Sequence, residues 1–401
     1  MEHMAEILIQ LFAVLLAAKI GDEIFKRLGQ PAVIGEILGG VVVGPAVLGV
    51  YEVNPETALF AEIGVVLLLF QVGIETRVGD LLRVGLTAAS VGVMGVILPL
   101  AGGFAIGGLL GYALEVNVFL AAALTATSVG ITSRVLAELG GLRTGSGRVI
   151  LGAAVIDDVL AMLILALATG LAAGSVSGVQ IAILVGLAVA FIGIVLVVGT
   201  RVLRRRPSLL TDPQFAETPF LPGMILMLGL AALAALIGLA AIIGAFLAGM
   251  VVGEAQERHA LEQEVAPVAA FFTPFFFGFI GAQVDLAAFT SLGTLLLLGG
   301  ITLVAVGTKF VGSFLGALRL GRRRATLIGW GMVPRGEVGI VVAGLGLSAG
   351  AISGELYSVV VGMAILTTLV VPPLLPPLLR RAEHIADRSH PAPATGSGSS
   401  P

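Results

Sequence analysis

Apolar residues come in runs of roughly 20, separated by short polar connections, along almost the whole chain. Hydropathy over 19-residue windows predicts thirteen membrane-spanning helices, at 6–26, 32–50, 58–75, 86–113, 116–136, 147–170, 178–200, 218–236, 238–253, 266–283, 290–317, 326–348 and 354–379. The split between the eighth and ninth rests on a break near Gly238. Short alternating segments of the kind that build transmembrane barrels are absent. Two runs carry helix breakers at their centres. The fifth packs hydroxyls into Leu124-Thr125-Ala126-Thr127-Ser128-Val129-Gly130, and the twelfth holds Gly329, Gly331, Pro334, Gly336 and Gly339 around Arg335 and Glu337. Proline removes a backbone donor and glycine loosens the ladder, so both spans are expected to unwind at mid-membrane.

Charge placement tests the span count. With the N-terminus outside, the odd-numbered connections hold Lys26 and Arg27; Arg77 and Arg83; Arg134, Arg143 and Arg148; Arg201 and Arg204 to Arg206; Arg258; and Arg319 with Arg322 to Arg324. The even-numbered connections carry acids such as Glu52, Glu115 and Glu355 and no lysine or arginine. One missed or invented span would scramble that order, so the positive-inside rule predicts N-outside, C-cytoplasmic topology in the cell's inner membrane. Lys19 and Glu23 have the spacing of a helical ion pair.

Composition agrees. The chain has 401 residues, of which 57% are hydrophobic and 12% charged, whereas soluble domains carry about 25% charged. The 56 glycines suit close helix packing, and the spacings Gly35 to Gly39 and Gly40 to Gly44 fit tight contacts or a dimer face. The lack of cysteine excludes disulfides and thiol chemistry. The N-terminus has Glu2 and Glu6 but no basic residue before its apolar run, which is unlike a secretory signal. A glycine run from Gly344 to Gly350 is one residue too long for a dinucleotide fingerprint. No cofactor, nucleotide or nucleic acid is expected. The partners implied are the lipid bilayer and monovalent cations.

The informative residues are ionisable groups deep in apolar runs. Asp157 and Asp158 lie near the middle of the sixth span. A carboxylate there costs several kcal/mol, which makes it a functional candidate by default. Adjacent helical residues point about 100° apart, so one acid can face an ion cavity while the other turns to a neighbouring helix. Lys309 in the eleventh span is the candidate counter-charge; the plainer reading is a lysine snorkelling to the inner face. Thr127 and Ser128 are candidate oxygen ligands, though such hydroxyls often bond back to their own helix. Arg335 and Glu337 either compensate the dipoles of broken half-helices or pair with each other to hold the break. Paired interrupted helices in two halves point to a transporter binding site. The plainer alternative for the aspartates is a structural network. An intramembrane aspartyl protease would need its acids on two facing helices, whereas these share one.

Taken together, Ile34-Gly35-Glu36-Ile37-Leu38-Gly39-Gly40 running into Gly44-Pro45, Phe70-Gln71-Val72-Gly73-Ile74-Glu75, Thr127-Ser128, Asp157-Asp158, Lys309 and Pro334-Arg335-Gly336-Glu337 resemble the cation/proton antiporter superfamily, most closely its NapA-like electrogenic sodium/proton antiporters. The resemblance spans nearly the whole chain. It implies an all-α homodimer whose inverted-repeat core crosses at the two broken helices. The parts would be dimer-domain helices in 1–85 and 218–285, core repeats in 86–170 and 286–380, a linker in 171–217 and a disordered tail in 381–401. It also implies that Asp158 is the essential cation-binding acid, that Asp157 pairs with Lys309 and can share the metal ion, and that the protein is no enzyme. Aspartate rather than asparagine or glutamine at position 157 favours the electrogenic sodium type over electroneutral or potassium-efflux relatives. A potassium/proton antiporter or potassium-efflux system on the same scaffold is the rival reading. The acidic stretch Glu254, Glu257, His259, Glu262 and Glu264 is either a pH-sensing loop or a plain solvated one.

Overall fold

The computed structural model describes residues 2–172, 178–205, 218–254 and 258–388. Among them there is helix and connecting chain but no strand. The helices are α1 (Glu2–Arg27), α2 (Ala32–Val43), α3 (Pro55–Glu75), α4 (Val78–Arg83), α5 (Gly85–Leu109), α6 (Leu114–Thr125), α7 (Val129–Glu138), α8 (Gly145–Ala172), α9 (Gly178–Ile194), α10 (Thr200–Arg205), α11 (Phe220–Leu236), α12 (Ala241–Val252), α13 (Arg258–Ala282), α14 (Leu292–Ala317), α15 (Arg322–Gly331), α16 (Glu337–Ser348), α17 (Gly354–Val370) and α18 (Leu375–Arg388). Every predicted window holds helix, with α6 and α7, α15 and α16, and α17 and α18 sharing one window each. Eight helical stretches among the described residues are long and apolar enough to cross a membrane, and four shorter apolar helices accompany them. The chain is a multi-pass membrane protein.

Boundaries differ from the sequence reading where local chemistry outweighs hydropathy. α2 stops at Val43 because Gly44-Pro45 follows, and the chain then turns through Gly49 at φ 62°. α13 starts at Arg258, eight residues before its apolar window, so Glu262 and Glu264 are helical rather than in a loop. Leu261 and Val265, one turn apart, are buried and draw this polar turn onto the protein. Glu257 and the His259 side chain, which belong to the same acidic stretch, lie outside what the structure describes. Helix α18 carries the chain to Arg388, so residues 381–388 of the expected tail are helical, whereas 206–217 of the linker and 389–401 of the tail lie outside the described residues. Lys19 pairs with Asp22 at 3.8 Å rather than with Glu23, which is taken by Arg27 at 2.7 Å.

Two groups of helices are distinguishable by their packing. The first joins α1, α2, α3, α11, α12 and α13; the second joins α5, α6, α8 and α14 to α17, with α18 seated on α15. Half-helix α7 touches both, packing on α8 as well as on α2 and α3. The α9–α10 stretch, which includes a π-helical turn at Val195–Gly199, runs against α8 and α12.

The repeated glycines of α2 are used within one chain. A methyl at Gly35 would overlap the backbone of Gly21 in α1, and one at Gly40 the backbone of Gly278 in α13. These spacings therefore seat α2 between its own neighbours, the tight helix contacts that the sequence suggested. Backbone cannot move aside as a side chain can, so Gly40→Val is expected to exceed the usual overpacking cost of about 1–3 kcal/mol. The expected result is loss of the folded peak in detergent size-exclusion chromatography.

Candidate functional site

Both broken spans open where the breakers lie. Residues 126–128 separate α6 from α7, and 332–336 separate α15 from α16. The two openings cross and stitch together. The Ser128 N–H donates to the Pro334 carbonyl at 2.8 Å, the Thr127 hydroxyl to Met332 O at 3.3 Å, and the Thr132 hydroxyl to Gly331 O at 2.7 Å. The carbonyls that α15 leaves unpaired at its C-terminal end are thus answered from the other broken span.

The C-terminal end of α6 receives cations instead. Lys309, fully buried on α14, donates to Thr125 O at 2.7 Å. The Arg335 guanidinium, also fully buried, donates to Ala126 O at 2.7 Å and to Ala305 O at 3.2 Å. Positive charge at this end complements the helix dipole. Arg335 thus occupies the place expected of a dipole-compensating group, with its hydrogen bonds going to carbonyls. Its own backbone is clamped by Thr367, which accepts from its N–H at 3.1 Å, and Thr368, which donates to its carbonyl at 2.7 Å. The side chain of Glu337, the other half of that expectation, lies outside the described residues; its backbone opens α16.

Unbroken α8 carries the two acids past this crossing in different directions. Asp157 turns to α14, where its Oδ1 lies 2.5 Å from Lys309 Nζ with both side chains fully buried. Lys309 therefore does not snorkel. Asp157 Oδ2 has no hydrogen-bond partner among the described residues. Asp158 turns the other way, into a narrow space that it lines with Val155 of its own helix, Val129 of α7, and Leu69, Ile242 and Phe246 from the first helix group. That space offers about 10 Å³, room for one water. The N-terminal residue of α7, Val129, borders it, so the start of that helix lies on the same space as the Asp158 carboxylate.

The structure thus gathers Asp157, Lys309, Arg335 and the 126–128 opening around one crossing, with Asp158 on the seam between the helix groups. Ser128 enters through its backbone, and Thr127 has committed its hydroxyl hydrogen to Met332 while keeping its oxygen lone pairs. No cluster of three or more carboxylate, imidazole or thiol ligands occurs among the described residues. Sequence reasoning missed Thr367 and Thr368, hydroxyls in the thirteenth span, although hydroxyls at the centre of the fifth were noticed. It also quoted Glu36 only as part of a motif, although a carboxylate inside a predicted span was signal enough.

Comparison with known proteins is consistent with this geometry. The family model for sodium/hydrogen exchanger, transmembrane, matches residues 11–381. The chain is 34% identical over 374 residues to the Na(+)/H(+)-K(+) antiporter GerN of Bacillus cereus, covering 92% of this chain and 95% of that protein. It is 33% identical over 415 residues to the high-affinity Na(+)/H(+) antiporter NhaS3 of Synechocystis, covering 93% and 89%. Its fold is similar to that of the sodium proton antiporter MjNhaP1 from Methanocaldococcus jannaschii, with a TM-score of 0.68 at 19% identity over 97% of this chain and 99% of that one. The chain belongs to the sodium/hydrogen exchanger family of membrane transporters, within the cation/proton antiporters.

Proposed function

We propose that this protein exchanges sodium or lithium for protons, electrogenically and by alternating access, at the Asp157–Asp158 site. The observation that carries this reading is the opposed orientation of the two acids: Asp157 is held by Lys309 at 2.5 Å while Asp158 lines the space between the helix groups. In the proton-loaded arrangement Asp158 and Lys309 each carry a proton, and Asp157 is neutralised by the lysine. A small hard cation prefers oxygen ligands. It takes Asp158, then draws on Asp157 Oδ2, the Thr127 oxygen, opened backbone carbonyls and water. Its charge displaces both protons, so proton and cation bind in competition. Two protons against one sodium move one net charge, worth about 2.3 kcal/mol per 100 mV.

The second helix group (α5–α8 and α14–α18) would be the moving core, made of two inverted repeats whose broken helices cross. The first (α1–α3 and α11–α13) would be the homodimer domain, with α9 and α10 as linker. The thirteen crossings, N-outside, and the inner-membrane location are supported by the alternation of connections rich in lysine and arginine with connections that have neither.

A second reading is favoured by one observation: the name of the relative GerN includes potassium beside sodium. The test is proton flux and membrane current in proteoliposomes given pulses of sodium, lithium or potassium. Sodium- and lithium-driven proton release with a current is the expected result. A response to potassium alone would replace the first reading by the second, and exchange without current would overturn electrogenicity.

A further inference from the structure

We propose that Glu36, Arg134 and Glu138 form a charged latch between α2 and the half-helix α7 of the proposed moving core, and that this latch opens in every transport cycle. The proposal rests on the antiport reading above, since it assigns residues to the movement that reading requires.

Glu36 lies on α2, in the first helix group, at 0% exposure, and neither of its carboxylate oxygens has a hydrogen-bond partner among the described residues. The cation facing it is Arg134 of α7, the half-helix that packs on both groups and that the reading above assigns to the core; its Nη2 stands 3.9 Å from Glu36 Oε1. Arg134 is steadied one turn along its own helix by Glu138, Nε to Oε1 at 2.9 Å. Glu138 then reaches across with its second oxygen and accepts the N–H of Ala32, the first residue of α2, at 3.2 Å. That bond satisfies one of the orphan donors of the α2 N-terminus and places a negative charge at the positive end of its dipole. The other charges near Glu36, Lys19 and Asp22 of α1, are engaged among themselves and with Lys26, at 3.8 and 2.7 Å.

Two features suit this cluster to a contact that must be released. At 3.9 Å, Glu36 and Arg134 attract through charge, so the Ala32 N–H to Glu138 bond is the one hydrogen bond described across this contact that release would break. An apolar seam would have no such preferred position, whereas a buried charge pair marks one register between two surfaces. The second feature is leverage. Arg134 and Glu138 stand six and ten residues along α7 from Ser128, so about 9 and 15 Å of rigid helix link them to the place where the broken spans cross. Sliding the core past α2 would pull both Arg134 and Glu138 from their partners, and the movement would reach the site through α7.

The test uses full-length protein in proteoliposomes, with rates normalised to folded protein. Glu36→Gln and Arg134→Gln are each expected to lower the maximal exchange rate by about tenfold, the size of a coupling between contacting charges. The half-saturating sodium concentration should stay within about twofold of wild type, a split that separates positioning from cation binding. The charge swap Glu36→Arg with Arg134→Glu should recover most of the rate. Because the chain has no cysteine, Glu36→Cys with Arg134→Cys can be bridged by a cleavable thiol-reactive linker without background. Bridging should stop exchange and cleavage should restore it to the unbridged rate. Full exchange by the bridged protein, wild-type rates in both glutamine variants, or a folded swap no better than the single variants would overturn the latch. Absence of sodium-driven flux in the wild-type control would instead overturn the antiport reading.

Discussion

Asp158→Asn is expected to bring sodium-driven proton exchange down to the rate of protein-free vesicles, while the protein folds and purifies normally. The amide fills the same volume and can still hydrogen-bond, so the narrow space it shares with Val129 and Phe246 is undisturbed. It carries no charge for a cation to meet and no proton to exchange. A charged ligand is worth about 3 kcal/mol more than nothing in its place, roughly two orders of magnitude in cation affinity. Loss of the titrating proton removes the coupling as well. The measurement is a sodium pulse with an internal pH dye, alongside a thermal unfolding curve to certify the fold. Exchange at the wild-type rate by folded Asp158→Asn would remove Asp158 from the centre of the mechanism.

Lys309→Ala is expected to have two effects, and the second is the more informative. The first is instability. Lys309 neutralises Asp157 and caps the Thr125 carbonyl, both fully buried, and breaking a buried pair from one side costs about 3–5 kcal/mol. The second is electrical: without the lysine proton, one proton rather than two would return for each sodium, and the exchange would lose its net charge. Currents on a supported membrane should vanish while dye-detected proton flux persists. Lys309→Gln separates the effects, because its amide can still donate to Thr125 O and recover part of the stability but cannot carry the titrating proton. A normal current from either variant would refute the charge role of the lysine.

Much of this arrangement was legible in the sequence, for an identifiable reason. A lysine and two aspartates inside apolar runs are expensive, so they had to find each other across 152 positions, as Asp157 and Lys309 do. Breakers at the centres of two long runs could only open them, and the openings fall within a residue or two of Thr127 and Pro334. What hydropathy does not carry is distance between helices. The Arg335 contacts to Ala126 and Ala305 involve carbonyls, which every residue has and no sequence marks. Arg134 was counted among the basic connections, although its guanidinium faces a buried acid on another helix. Lys19 was matched to the wrong acid because two spacings on one helix face, three and four, are equally good neighbours.

The one-water gap beside Asp158 also bears on how faithfully the exchanger couples its two fluxes. Leu69, Ile242 and Phe246 on one side and Val129 and Val155 on the other line a gap with less room than a hydrated ion needs. A proton wire across the seam would let the gradient run down without carrying sodium. If Asp158 is the exchange site, so narrow a gap leaves no space for an unbroken file of waters past the carboxylate, and protons would cross only as passengers of the transport cycle.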